Sequence, residues 1–332
     1  MHNSTYKALV VKETSSNAYT RRVENKTTAE LPQGDLLIRV HYSSLNFKDA
    51  LSASGNRGVT RHYPHVPGID AAGVVEESGS GDFSPGDQVI VTGNDLGMNT
   101  SGGYGQYIRI PAGWALHCPQ HLSLRESMIY GTAGFTAAQS VNKLVTFPVL
   151  PEQGKILISG ATGGVGSIAV SIMAKLGYSI TAVSGKPEAK GFLIKLGASE
   201  IISRQQALDS SGKLLLKEKW AGVIDTVGGE ILATAIKSTA YGGVITCCGN
   251  VASAELPLSV YPFILRGVSL LGIDSAKCPT KNRQRIWQKL ANEWKIKNLD
   301  SLATECPLSE LPGLIERMLQ GGQTGRVIVN LL

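Results

Sequence analysis

Residues 155–177 read KILISGATGGVGSIAVSIMAKLG, with glycines at 160, 163, 164 and 166 between a short apolar run and a stretch of helical periodicity. Backbone without Cβ atoms can come close to a pyrophosphate, and the free N–H groups and dipole at a helix N-terminus favour negative charge. The window Ala-Thr-Gly-Gly-Val-Gly (161–166) departs from Gly-x-Gly-x-x-Gly in starting with Ala. Alone, such a motif is weak. Its weight comes from the predicted strand before it and the predicted helix after it, which open a βαβ unit. Thr162, Gly163, Gly164, Val165 and Gly166 are therefore candidates to cradle a dinucleotide pyrophosphate, the alternative being a plain turn.

The end of the next predicted strand tests which dinucleotide. An Asp or Glu about 20 residues past the glycines would bind the ribose 2′-hydroxyl of NAD. Here stand Ser184, Gly185 and Lys186, with no acid before Glu188. A hydroxyl and an ammonium suit a 2′-phosphate, and Arg204, past the third strand, adds positive charge. NADPH is thus the expected cofactor, while the plainer reading of Lys186 is a helix-start lysine. No metal is expected: His62 and His65 in RHYPHVPG lack a third ligand, and a catalytic zinc needs three. The five cysteines form no C-x-x-C pair, so neither a disulfide framework nor a zinc knuckle is expected. Cys247 and Cys248 end an apolar strand and read as core.

The elements that must hold these residues follow from periodicity. The first 125 or so residues contain short β-branched runs (YKALVVKE, DLLIRVHYSS, AAGVVEES, DQVIVTG, GQYIRIP) separated by turn clusters such as LPQGD and FSPGD. That spacing suggests a barrel or sandwich. From about Gly131 strands alternate with helical patterns: KILISG, then a helix with Val165, Ile168, Ala169, Ile172 and Leu176 on one face, then SITAV, a helix KPEAKGFLIKLGA, EIIS, AGVIDTVGG, a helix reaching Ala240, and GGVITCCGN. Such alternation predicts a parallel, doubly wound α/β sheet. Two more helical patterns, KNRQRIWQKLANEW and SELPGLIERMLQ, precede a final strand, GRVIVNLL. That strand resembles the N-terminal β segments, which predicts a nucleotide domain inserted into a β-rich domain built from both chain ends.

With 332 residues, 42% hydrophobic and 17% charged, the chain suits a two-domain globular protein. The net charge of +6 comes from scattered lysines and arginines. The densest segment, KNRQRIWQKL, fits a helix with a solvated basic face, so no nucleic-acid partner is expected. No secretory signal or membrane-length apolar stretch is read, and a reducing cytoplasm is the expected location.

The landmarks SSLNFKDAL (43–51), PGIDAAGVV (67–75), PGDQVIVTG (85–93), GTAGFTAA (131–138), SGATGGVGSIAV and GRVIVNL occur in order along the whole chain. In these the sequence resembles the medium-chain dehydrogenase/reductase superfamily, and NFKDAL, AVSGK, WAGVIDTVGG and PFILRGVSLLGIDS resemble its acrylyl-CoA reductase and quinone oxidoreductase branch. The resemblance implies a GroES-like β-barrel domain over 1–126 completed by 277–332, a Rossmann domain over 127–276, NADPH and a homodimer. Zinc members carry Gly-His-Glu where this chain has Gly68-Ile69-Asp70, and a Cys where it has Asn46, so zinc independence is implied.

Without a Lewis acid, the natural chemistry is hydride addition to an already activated double bond. The acceptor would be an α,β-unsaturated thioester such as acryloyl-CoA, with a quinone, or a purely NADPH-binding role, as alternatives. The enolate formed needs hydrogen-bond donors and a proton at the α-carbon. Asn46 and Asp49 are the candidates near the reaction centre, and the plainer reading is that they fix a barrel loop. Phe47 stands where relatives often carry Tyr, so no phenolic donor comes from that position; the resemblance places it near the nicotinamide. Gly249, Asn250, Ile264 and Ser275 are implied to flank the nicotinamide half.

Overall fold

The computed structural model describes residues 4–15 and 17–332. These form two compact units: one runs to Thr132 and resumes over Ala276–Asn292 and Asn298–Leu332, the other comprises Ala133–Ser275 and Glu293–Lys297. Against the expected breaks at 126/127 and 276/277, the first unit extends through Thr132, which is hydrogen-bonded to Asp70. The short segment 293–297 joins the second unit, where Lys175 Nζ donates to the Lys295 carbonyl at 2.8 Å.

The first unit opens with a two-stranded ribbon, β1 (Thr5–Ser15) and β2 (Ala18–Thr27). Then follow β3 (Leu36–Ser44), the short helix α1 (Phe47–Ala53), β4 (Asp70–Ser78), β5 (Gln88–Thr92), β6 (Tyr107–Ile110) and β7 (Ala115–His117). The helix α2 (Leu124–Thr146) leads out of the unit and is interrupted at Gly131, whose φ of 50° and ψ of −156° are non-helical. Local periodicity does not announce α1 or α2. Strand β3 lies between β4 on one edge and β6 on the other, and its inward Leu36, Ile38 and Val40 are buried. Tyr104 lies fully inside this core, and Tyr107 packs edge-on to Tyr6.

The second unit carries β8 (Lys155–Ile158), α3 (Gly164–Lys175), β9 (Ile180–Ser184), α4 (Lys190–Lys195), β10 (Glu200–Ser203), β11 (Trp220–Asp225), α5 (Gly229–Lys237), β12 (Thr239–Cys247), α6 (Tyr261–Arg266) and β13 (Ser269–Gly272). Its six strands are all parallel in the order β10-β9-β8-β11-β12-β13. This is a doubly wound sheet whose order reverses between β8 and β11, and ligands of such sheets bind at the strand carboxyl ends beside that reversal. Strand β9 is buried at every position, as a sheet covered on both faces requires. The helix expected to reach Ala240 stops at Lys237, because the Ser238 and Thr239 hydroxyls bond back to Thr234 and Ala235 carbonyls and β12 begins.

The chain then returns to the first unit through α7 (Thr280–Ala291), β14 (Ala303–Pro307), α8 (Leu311–Leu319) and β15 (Arg326–Asn330). Strand β15 pairs antiparallel with β3 and parallel with β14, so both ends of the chain build one sheet. Among the described residues no helix is long and apolar enough to cross a membrane.

Candidate functional site

The glycine cluster lies at the carboxyl end of β8. Gly163 is the residue before α3 and no side chain caps that helix, so its first-turn N–H groups have no intrahelical acceptor and are open to an anion. A Cβ on Gly166 would stand 2.3 Å from the Gly160 carbonyl oxygen, so the turn closes only with glycine there. Thr162 is buried at the turn. These are the features of a helix N-terminus able to receive an anion.

The cradle is braced from β11. Asp225, fully enclosed, accepts from Ser159 Oγ at 2.7 Å and from the Gly228 N–H at 2.8 Å, while burial pushes its carboxyl up. Thr226 takes the Ser159 hydroxyl with its N–H and gives its own hydroxyl to the Ser159 carbonyl. A Cβ on Gly249 would lie 2.0 Å from the Thr226 carbonyl. Ser159, Asp225 and Thr226 escaped the sequence reading; their only signal was DTVGG after a predicted strand.

At the end of β9, Ser184 is buried and its hydroxyl accepts the Lys186 N–H at 3.0 Å, which fixes the turn. A Cβ on Gly185 would meet Arg204 Nε at 2.6 Å and Cζ at 2.7 Å. The guanidinium of Arg204 thus packs against the one residue here without a side chain. Ser184, Gly185, Lys186 and Arg204 are brought together, and the set of a hydroxyl and two cations fits a phosphate monoester. Asn250 is exposed, and Gly249 packs under Thr226. Ile264 is 67% exposed on α6, and no described contact ties it to the cradle. Ser275 is the last residue of the unit before the chain leaves it, and Phe47, at the start of α1, belongs to the first unit.

Asn46 and Asp49 sit in a buried polar network of the first unit. Asp49 is wholly enclosed; its carboxylate accepts from the N–H groups of Ile69 at 2.8 Å and Asn46 at 2.9 Å. Burial, with the charge of Asp70, lifts its pKa to about 7. The Asn46 side-chain amide donates to Asp70 at 2.8 Å, Asp49 at 3.2 Å and the Ser44 carbonyl at 3.3 Å, so both its N–H groups are engaged. Asp70 also accepts from Ser44 Oγ and from the N–H and hydroxyl of Thr132.

The counter-charge comes from the other end of the chain. Arg326, 2% exposed, donates to the Ile129 and Leu45 carbonyls, to Asn46 Oδ1 and to Ser44 Oγ, and its Nη2 lies 4.0 Å from Asp70. A Cβ on Gly131 would come within 2.6 Å of both Asp70 and Ser44, which is why α2 bends at glycine. Arg326, Ser44 and Thr132 were not singled out from the sequence. The one signal was a charged residue opening an apolar strand. His65 is buried with Nε2 2.9 Å from the Gly97 carbonyl, and His62 is exposed; among the described residues no three His, Cys, Asp or Glu are grouped as metal ligands.

A family model described as the alcohol dehydrogenase GroES-like domain matches residues 32–120, and one described as zinc-binding dehydrogenase matches 164–292. The Bacillus subtilis protein YhfP, which carries a quinone oxidoreductase name, is 45% identical over 310 residues, 93% of this chain and 94% of that one. The acrylyl-CoA reductase AcuI of Ruegeria pomeroyi is 41% identical over 98% of this chain and 99% of its own. The chain belongs to the zinc-independent branch of the medium-chain dehydrogenase/reductase superfamily. It is an oxidoreductase. The YhdH oxidoreductase of Salmonella enterica, solved with NADP, matches with a TM-score of 0.95 and 39% identity over 98% of this chain and 100% of that one. YhfP, solved with NAD bound, matches with a TM-score of 0.95 and 43% identity over 99% and 100%.

Proposed function

We propose that the chain is an NADPH-dependent reductase of activated carbon–carbon double bonds, with an acryloyl-CoA-type enoyl thioester as its substrate. For the cofactor, the observation that carries the reading is the Arg204 guanidinium seated against Gly185 beside Ser184 and Lys186. An acid that would pair with a free 2′-hydroxyl is missing from this strand end. The backbone N–H groups of Gly164, Val165 and Gly166 would hold the pyrophosphate, and Arg204 and Lys186 the 2′-phosphate. When bound, the reduced nicotinamide supplies a hydride. For the substrate, the likeness to an acrylyl-CoA reductase along nearly the whole chain supports an enoyl thioester.

In this reading Asp49 is the organiser: it holds the start of α1 and the chain at Ile69 in one arrangement. Asn46 is locked between Asp70, Asp49 and Arg326. With both amide N–H groups given to carboxylates and the Ser44 carbonyl, Asn46 is a positioning residue of this network and has no donor left for an enolate.

Mixing the protein with NADPH and acryloyl-CoA should bleach the reduced-nicotinamide absorbance, and absence of turnover with that thioester and with every small enone would overturn the proposal. Replacing Arg204 by Ala should weaken NADPH binding about tenfold or more and leave NADH binding unchanged. Quinone reduction is a second reading, favoured by the likeness to YhfP. It prevails if kcat/KM for benzoquinones exceeds that for acryloyl-CoA.

A further inference from the structure

The crossover from β10 to β11 in the second unit contains no helix; residues 204–219 run as turns and coil. Between this segment, the sheet and α5 lies a cavity of about 250 Å³. Its floor is apolar, formed by Leu157, Ile202, Ala207, Leu216 and Ala235, with Trp220 in the wall. The crossover is tied down over it: the Leu216 and Lys219 N–H groups donate to the Lys237 and Ser238 carbonyls at 3.0 and 2.8 Å, and Arg266 donates to the Leu216 carbonyl. The cavity is therefore preformed, as small-molecule sites are.

The charges at its lining have one sign left over. Asp209 is paired with Lys237 at 2.7 Å and accepts hydrogen bonds from the N–H and hydroxyl of Ser211. The neighbouring Glu218 pairs with Arg266, and Glu200 pairs with Lys155 at 3.0 Å. Lys217 and Lys219 line the cavity and make no ion pair within 4.0 Å among the described residues, although the Lys219 charge reaches Glu200 and helps hold its carboxyl down; Gln206, whose carbonyl oxygen accepts from Ser203, has its amide N–H groups uncommitted. Each of these groups donates. An apolar floor beneath cationic and amide donors matches a molecule with a short hydrocarbon tail and an anionic head.

We propose that this cavity binds a small amphipathic monocarboxylate, tail toward Leu157 and Ala235, carboxylate toward Lys217, Lys219 and Gln206. A cavity of about 150 Å³ already admits benzene, so this one takes a chain of roughly six to eight carbons. None of the residues of the glycine cradle or of the Ser184–Lys186 turn lines it, and the inference is independent of the proposed reaction.

The test is calorimetric titration of the full chain with butyrate, hexanoate and octanoate, with Trp220 emission as a second readout. Saturable binding should tighten about fourfold per added methylene. Hexanamide should bind about tenfold more weakly than hexanoate, and the exposed double substitution K217A/K219A should cost about tenfold. Leu216→Trp, which fills the space, should abolish binding, and saturating NADPH should leave it unchanged. The proposal is overturned if no carboxylate binds saturably, if K217A/K219A binds hexanoate as the unaltered chain does, or if NADPH displaces the carboxylate.

Discussion

Replacing Asp49 by Asn should remove a pH dependence from the stability of the first unit. The carboxyl is fully buried, and burial together with the charge of Asp70 raises it from 3.8 to about 7, against the pull of the Ile69 and Asn46 hydrogen bonds. Between those values the folded chain keeps a proton that the unfolded chain has released. Stability from this group is therefore greatest at acid pH, declines as pH rises through the interval, and levels off above the folded value. At ~1.36 kcal/mol per pH unit, the gap amounts to about 4 kcal/mol. Asn cannot titrate, so from about pH 4 to about pH 8 the stability difference between D49N and the unaltered chain should move by about that amount in favour of D49N. Asn also turns one acceptor toward a donor, a cost of about 1–3 kcal/mol that does not vary with pH. The slope of the difference, and not its intercept, is the quantity at issue.

Carboxylates held low by partners, such as Glu30, Glu200 and Glu305, tilt stability the opposite way in both proteins and cancel in the difference. The assay is native-state hydrogen exchange of β3 and β4 amides, corrected for intrinsic rates, because a two-unit chain has no single unfolding transition. A difference that stays flat with pH would refute the reasoning.

Arg326→Met should leave Asp70 buried without a counter-charge and destabilise the first unit by about 3–5 kcal/mol, visible in native-state hydrogen exchange of β3 and β15 amides, with R326K partly restoring it; unchanged exchange would show that the pair contributes nothing. Gly166→Ala places a Cβ 2.3 Å from the Gly160 carbonyl and should weaken dinucleotide binding at least tenfold by fluorescence titration, with circular dichroism retained. Burial pushes the thiols of Cys248 and Cys306 up to about 12 and that of Cys118 up to about 11, so mass spectrometry should find all three alkylated by iodoacetamide only slowly at neutral pH until urea unfolds the chain.

The second unit was largely legible before folding was considered. Its strands and helices announce themselves by local periodicity, and the cradle is a contiguous stretch, so glycine spacing, strand and helix lie side by side in the sequence. The AVSGK strand end reads the same way, since its chemistry is in adjacent residues. What the sequence left out is whatever is held by partners far along the chain. Strands β2 and β14 lack a clean alternation and exist because β1 and β15 pair with them. Gly185 and Arg204 are separate observations until β9 and β10 are laid parallel, and only then does the guanidinium come to rest on the glycine.

The first unit shows the same limit more sharply. Asn46 and Asp49 stood out because they share one motif, yet nothing near them in sequence says that both are sealed inside the protein. Sheet pairing of β15 with β3, and of β3 with β4, decides that, by delivering Arg326 to Ser44, Asn46 and Asp70. Local sequence determines which backbone each segment prefers and which short motif can meet a phosphate. Which charges are desolvated together, and hence which protons are held at neutral pH, was decided by tertiary structure, because desolvation and Coulomb energy depend on distance in space and not along the chain.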